Sequence, residues 1–168
     1  PRHSEILVLL ASAPRGLSGD ELAVLVYADD LGGSTLRAEV NRLRQLMGDE
    51  LLASRPYRVT ADVVADWTGV ADRLAAGDVA GALARYPGPL LPRSGAPGVE
   101  RLRTTLADDL RAAVVASGRA DLMSTWTRSA WGRDDYAMWV AQRAALGPTS
   151  PLLPLVEGQL ARLDREIG

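Results

Sequence analysis

Residues 34–60 read STLRAEVNRLRQLMGDELLASRPYRVT. Leu36, Val40, Leu43 and Met47 recur at i, i+4, i+7 and i+11, a narrow sector of a 3.6-residue wheel. The spacing predicts an amphipathic helix from Ser34, its N-cap, to about Met47, with those four side chains on a core. Ala38, Asn41, Arg42 and Gln45 fall on the opposite side of the wheel, and Arg37 and Arg44 lie on one flank. Gly48 closes the helix, ELLAS predicts a strand, and YRVT predicts its return after a tight turn at Arg55-Pro56. Arg37, Arg42, Arg44, Arg55 and Arg58 stand against Glu39, Asp49 and Glu50, a local balance of +2 in a chain of net charge −2.

Upstream, Ile6, Leu7, Leu10 and Ala13 recur at helical spacing from His3 to about Ala13, where APRG ends the segment. SGDE then opens a second helix as a capping box, Ser18 with Glu21, ahead of a buried face of Leu22, Leu25 and Val26. DDLGG supplies the turn into the third helix. Three short helices followed by a small hairpin is the order of a winged helix-turn-helix, in which the third helix enters the major groove and the wing touches the backbone. The chemistry agrees: Arg can pair bidentately with guanine, Asn or Gln with adenine, and wing arginines neutralise phosphates. Arg37, Asn41, Arg42 and Gln45 are the expected base contacts, and Arg44, Arg55 and Arg58 the expected phosphate contacts.

Composition sets limits on this reading. The chain has 168 residues, 47% hydrophobic and 24% charged, enough for one domain or two small ones. It contains no cysteine, so disulfide and thiolate chemistry are excluded, as suits a cytoplasmic protein. The runs ILVLLA and LAVLVYA are too short to span a bilayer, and no membrane partner is expected. All 19 basic residues are arginine, which codon bias in a GC-rich genome explains. The acidic balance argues against a protein that coats nucleic acid generally, so DNA contact is expected to be local. A start at Pro1, without methionine, fits a piece of a longer protein.

Beyond residue 60 the pattern predicts helices only. Val63, Val64, Trp67, Val70, Ala71 and Leu74 give one apolar face before AAGD, and Val79, Leu83 and Tyr86 give another before PGPLLPRSGAPG, a loop expected to separate helix pairs. Val99, Leu102, Leu106, Leu110 and Val114 define a long helix. ADLMSTWTRSAW, DDYAMWVAQRAAL and SPLLPLVEGQLARLDREI each read as one more. Trp126, Trp131 and Trp139 are assigned to packing between them, with a ligand groove as the sharper alternative, and no 34-residue consensus repeat is visible.

On Thr35, Leu36, Val40, Arg42, Leu43, Arg44, Gly48, Arg55, Pro56 and Tyr57 the chain resembles the winged-helix segment of the actinobacterial antibiotic regulatory proteins. Its wing is shorter than theirs and lacks the usual glycine before the tyrosine. Asp66-Trp67 and the run AAGDVAGALARYPGPLL resemble the helical bacterial transcriptional activator domain that follows in that family, and the likeness extends from about residue 3 to 146. The resemblance implies a mainly α chain: a winged helix-turn-helix over 1–60, then an all-helical bundle of tetratricopeptide-like pairs over 61–168. It adds Thr35 to the expected DNA contacts and implies a transcriptional regulator, the output half of a longer chain with a sensor such as a GAF domain. The implied partners are double-stranded DNA, a second copy of the chain, and RNA polymerase or the upstream sensor.

Catalysis is not expected. His3 is the sole histidine, so no His/Cys metal cluster can form, and no metal or other cofactor is anticipated. Asp29-Asp30, Asp108-Asp109 and Asp134-Asp135 are adjacent pairs that point apart and serve better as caps or solvated charges. Nucleophile-elbow and phosphate-cradle motifs are absent. The alternative is a protein-interaction adaptor with the same architecture, whose arginine face is solvated surface.

Overall fold

The computed structural model of the chain describes residues 2–27 and 33–167. Among the described residues the chain is mainly α-helical, with one small two-stranded antiparallel sheet. Its residues group into two compact units, Pro1–Thr68 with Pro89–Leu106, and Gly69–Gly88 with Ala107–Gly168.

In the first unit, α1 (Arg2–Ala11) buries Ile6, Leu9 and Leu10. It stops short of the expected Ala13 because a residue that precedes proline, here Pro14, is pushed out of the α region. The capping box forms at the start of α2 (Gly19–Tyr27): Ser18 N–H donates to Glu21 Oε2 at 2.7 Å and Glu21 N–H donates to Ser18 Oγ at 3.2 Å. Those bonds hold the Glu21 carboxyl below the usual carboxylate range. Leu22 and Val26 are buried, and Leu25 is partly so. The expected turn through Asp29 and Asp30 lies outside the described residues.

Helix α3 (Gly33–Met47) places Leu36, Val40 and Leu43 in the core, with Met47 partly buried at its edge. Ser34 lies within the helix rather than capping it, since the helix begins one residue earlier than expected. Gly48, at φ 101°, ends the helix in a conformation that favours glycine. A single 3₁₀ turn, Asp49–Leu51, takes the place of the first expected strand residues. The hairpin that follows, β1 (Leu52–Ser54) and β2 (Tyr57–Val59), pairs Leu52 with Val59, Ala53 with Arg58 and Ser54 with Tyr57.

Leu17, in the link between α1 and α2, bridges antiparallel to Tyr57 and exchanges both backbone hydrogen bonds with it, at 2.9 and 2.8 Å. Gly16 makes this approach possible: its φ is 82°, and a Cβ there would stand 2.8 Å from Pro56 Cγ and from the Tyr57 carbonyl oxygen. Ala96, Val99 and Leu102 pack into the same core as α1 to α3. The segment leading to them is tied down by polar contacts. Ser94 Oγ donates to the buried Glu5 carboxylate at 2.6 Å, and Arg103 Nη1 donates to the carbonyl oxygens of Leu91 and Ser94 at 2.8 and 3.2 Å.

Helix α4 (Asp66–Ala75) begins later than the apolar pattern predicts. Val63 and Val64 precede it and are exposed, Val64 at 93%, and apolar spacing without a packing partner does not make a helix. In the second unit Asp78 caps α5 (Val79–Arg85) by accepting from Gly81 N–H at 2.9 Å. Helix α6 (Pro97–Ala116) has its early part in the first unit and contributes buried Leu110 and Val114 to the second. Helices α7 (Ala120–Arg128), α8 (Tyr136–Ala145) and α9 (Leu153–Ile167) complete that unit.

The tryptophans pack as expected. Trp126 and Trp139 are buried, and Tyr86, Trp126 and Trp131 form an aromatic cluster with edge contacts at centroid distances of 4.9 and 4.6 Å. Among the described residues, no helix is long and apolar enough to cross a membrane.

Candidate nucleic-acid interface

The core face of α3 dictates what its other side presents. With Leu36, Val40 and Leu43 buried, Thr35, Arg37, Asn41, Arg42 and Gln45 are all exposed. Helical periodicity puts Asn41 and Gln45 one turn apart at the centre of the outward side, with Arg37 on one flank and Arg42 and Thr35 on the other. One helix surface therefore gathers five of the expected contact residues.

Arg44 has a different place. Its guanidinium turns back onto the hairpin, where Nε and Nη2 donate to the Leu52 carbonyl oxygen at 3.1 and 3.0 Å, and Nη2 also donates to Ser54 Oγ. It fixes the first strand against the C-terminal half of α3. The clue in the sequence was its wheel position beside Val40 and Met47, where a long side chain lies along the core edge rather than pointing away from it. Arg58 pairs across from Ala53, between the two residues that Arg44 grips, and is exposed, as is Arg55 at the hairpin turn.

Arg42 is 65% exposed, yet its Nη1 donates to Glu39 Oε1 at 2.7 Å. The other carboxylate oxygen of Glu39 lies 2.9 Å from His3 Nε2 on α1, without hydrogen-bond alignment. Glu39 thus pairs with Arg42 one turn along the same helix. His3, unassigned from sequence, joins the same cluster. Arg2 packs over the Tyr27 ring at 4.5 Å and pairs with Glu5 at 2.7 Å, while burial raises the Tyr27 phenol above its usual range.

The second unit uses its polar side chains otherwise. Asp135 caps α8 by accepting from Met138 N–H at 3.0 Å, pairs bidentately with Arg111 at 2.6 and 2.8 Å, and accepts from Trp126 Nε1 at 3.1 Å. Burial pushes the Asp135 carboxyl up, but the Arg111, Met138 and Trp126 hydrogen bonds outweigh it and hold the group below the ordinary carboxylate range. Thr127 Oγ donates to Gln142 Oε1 at 2.9 Å where both residues are buried. A groove of about 600 Å³ is lined by Arg128, Arg133, Asp134, Trp139, Arg162 and Glu166 among others. Arg162 is fully engaged there, by Gln159, Glu166 and Asp134. Asp135 thus serves as a cap, one of the roles expected for these adjacent carboxylates, while Asp134 is an exposed ion-pair partner of Arg162, a role the sequence did not assign it.

Residues 119–168, which include α7 to α9, match the family model of the YTH3-like protein, third C-terminal helical domain. Over 167 residues the chain is 43% identical to a protein of Rhodococcus erythropolis described as an uncharacterized 47.3 kDa protein in the thcA 5'region. The alignment takes in 99% of this chain and 38% of that protein, so the chain spans well under half of its relative's length. No solved structure matches. The matched family is a helical domain, in keeping with the helices found over those residues, and neither finding concerns a winged helix or a regulator.

Proposed function

We propose that the chain is a DNA-binding transcriptional regulator whose first unit is a winged helix-turn-helix, with α3 in the major groove and the hairpin as a wing on the backbone. The helices that follow act as a tetratricopeptide-like activator bundle, and the whole works in the cytoplasm as the output part of a longer sensor-regulator. One observation carries this reading. The order helix, Leu17 bridge, helix, helix, hairpin leaves the polar side of α3 outward while Leu17 and Arg44 brace the hairpin beside it. In this arrangement Arg37, Asn41, Arg42 and Gln45, with Thr35, meet base edges, Arg55 and Arg58 meet phosphates, and Arg44 serves by setting the wing. Binding of a second copy doubles the few base contacts one such helix makes, and RNA polymerase or a sensor domain is the partner of the bundle. The length of the Rhodococcus relative beyond the aligned part agrees with a longer parent chain.

One feature favours the adaptor reading instead: Leu46, beside the outward face of α3, is 73% exposed, an apolar group that a protein partner would cover. Fluorescence anisotropy on random duplex DNA across a salt series, followed by selection of sequences, separates the two. A regulator loses affinity as salt rises and enriches a motif, and charge reversal at Arg55 and Arg58 weakens binding to every sequence. Folded protein that binds no duplex at about 50 mM salt is an adaptor.

A further inference from the structure

Glu39 is the single acidic side chain on α3. Its side chain is only 19% exposed, against 65% for Arg42, so the carboxylate is the anchored end of the pair and the guanidinium the end that reaches outward. The anchor has two sides. Oε1 accepts from Arg42 Nη1 at 2.7 Å, and Oε2 lies 2.9 Å from His3 Nε2, on another helix. A guanidinium held through Nη1 keeps Nε and Nη2 for a second partner. Those two parallel donors along one edge match the O6 and N7 acceptors of guanine.

We propose that Glu39 is a positioning residue for base reading: it holds Arg42 by Nη1 and presents the Nε–Nη2 edge to a guanine, making Arg42 the specificity-determining residue at one G·C pair. The inference rests on the regulator reading and deepens it by naming the base pair read. A carboxylate this close to DNA repels phosphates whatever the sequence, so Glu39 lowers affinity for all duplexes while sharpening the choice among them. Those opposed effects distinguish positioning from a merely structural role, which would move both the same way.

The test uses the 168-residue chain, a duplex selected from a random library by the wild-type protein, its single-base-pair variants, and random duplex. Glu39→Gln is expected to raise affinity for random duplex about two- to threefold and to lower the preference for the selected duplex about tenfold, the scale of one bidentate base contact. The lost preference falls at one G·C pair, the same pair that Arg42→Ala loses, and the double variant loses no more than Arg42→Ala alone. Arg42→Lys, an exposed change that keeps the charge but not the fork, loses that preference with the salt slope unchanged. Unaltered preference in Glu39→Gln overturns the proposal, as does an equal fall in selected and random binding with a lower melting temperature. If the wild-type chain binds no duplex at low salt, the regulator reading itself falls; if it binds and selects but Glu39→Gln behaves like wild type, only the positioning role falls.

Discussion

The outward side of α3 and the α7–α8 region are both rich in polar side chains, but they spend them in opposite ways. Around α7 and α8, Asp135, Arg111, Trp126, Thr127 and Gln142 satisfy one another, and their removal leaves buried groups without partners. On α3, Asn41 and Gln45 are exposed opposite the core face and Arg37 is exposed on its flank. Arg44, a few residues along the same helix, belongs with the first group because its guanidinium is bonded to the hairpin. Arginine content says little about function by itself; what separates an interface residue from a structural one is whether the fold already uses its donors.

Four variants break or sharpen this contrast, from the largest expected effect to the smallest. Trp126→Ala removes a buried ring from the aromatic cluster and a donor from Asp135, and is expected to cost about 3–5 kcal/mol in urea unfolding. Asp135→Asn weakens both a helix cap and a bidentate ion pair, and is expected to cost about 1–3 kcal/mol at neutral pH. Its pH dependence has a definite sign. Because the carboxyl titrates lower in the folded state than in the unfolded chain, its stabilisation is complete above the unfolded value, about 4, and is lost as pH falls through the folded one. Acid unfolding followed by circular dichroism should therefore be shallower in Asp135→Asn over that window.

Arg44→Ala frees the Leu52 carbonyl oxygen from a charged donor and is expected to cost about 1–2 kcal/mol, with faster amide exchange in the hairpin. Replacing Arg37, Asn41 and Gln45 together by Ala should change stability by no more than about 0.5 kcal/mol at each site, because these side chains are exposed. A large loss in that triple variant would place them among the structural residues and erase the contrast.

Much of this was legible locally. The Ser18–Glu21 capping box, the Leu36–Val40–Leu43 face and the helical run of the C-terminal part follow from periods and caps that involve only near neighbours in the chain. Val63 and Val64 misled for the same reason: an apolar spacing extends a helix on paper whether or not anything covers the residues. Leu17 could not be found from pattern at all, since a one-residue bridge has no period, and its pairing depends on Gly16 letting Tyr57 approach.

By itself the sequence determined a mainly helical chain, the third helix with its apolar and polar sides, and the hairpin after it, because alternation and periodicity are imposed by backbone geometry within a few residues. Only the tertiary structure decided that Ala96 and Val99 complete the core of α1 to α3, that Arg44 braces the hairpin, and that Glu39 stands between His3 and Arg42. Each of these joins groups distant in the chain or chooses among rotamers of a long side chain, and that choice is made by packing and electrostatics between elements rather than by local propensity.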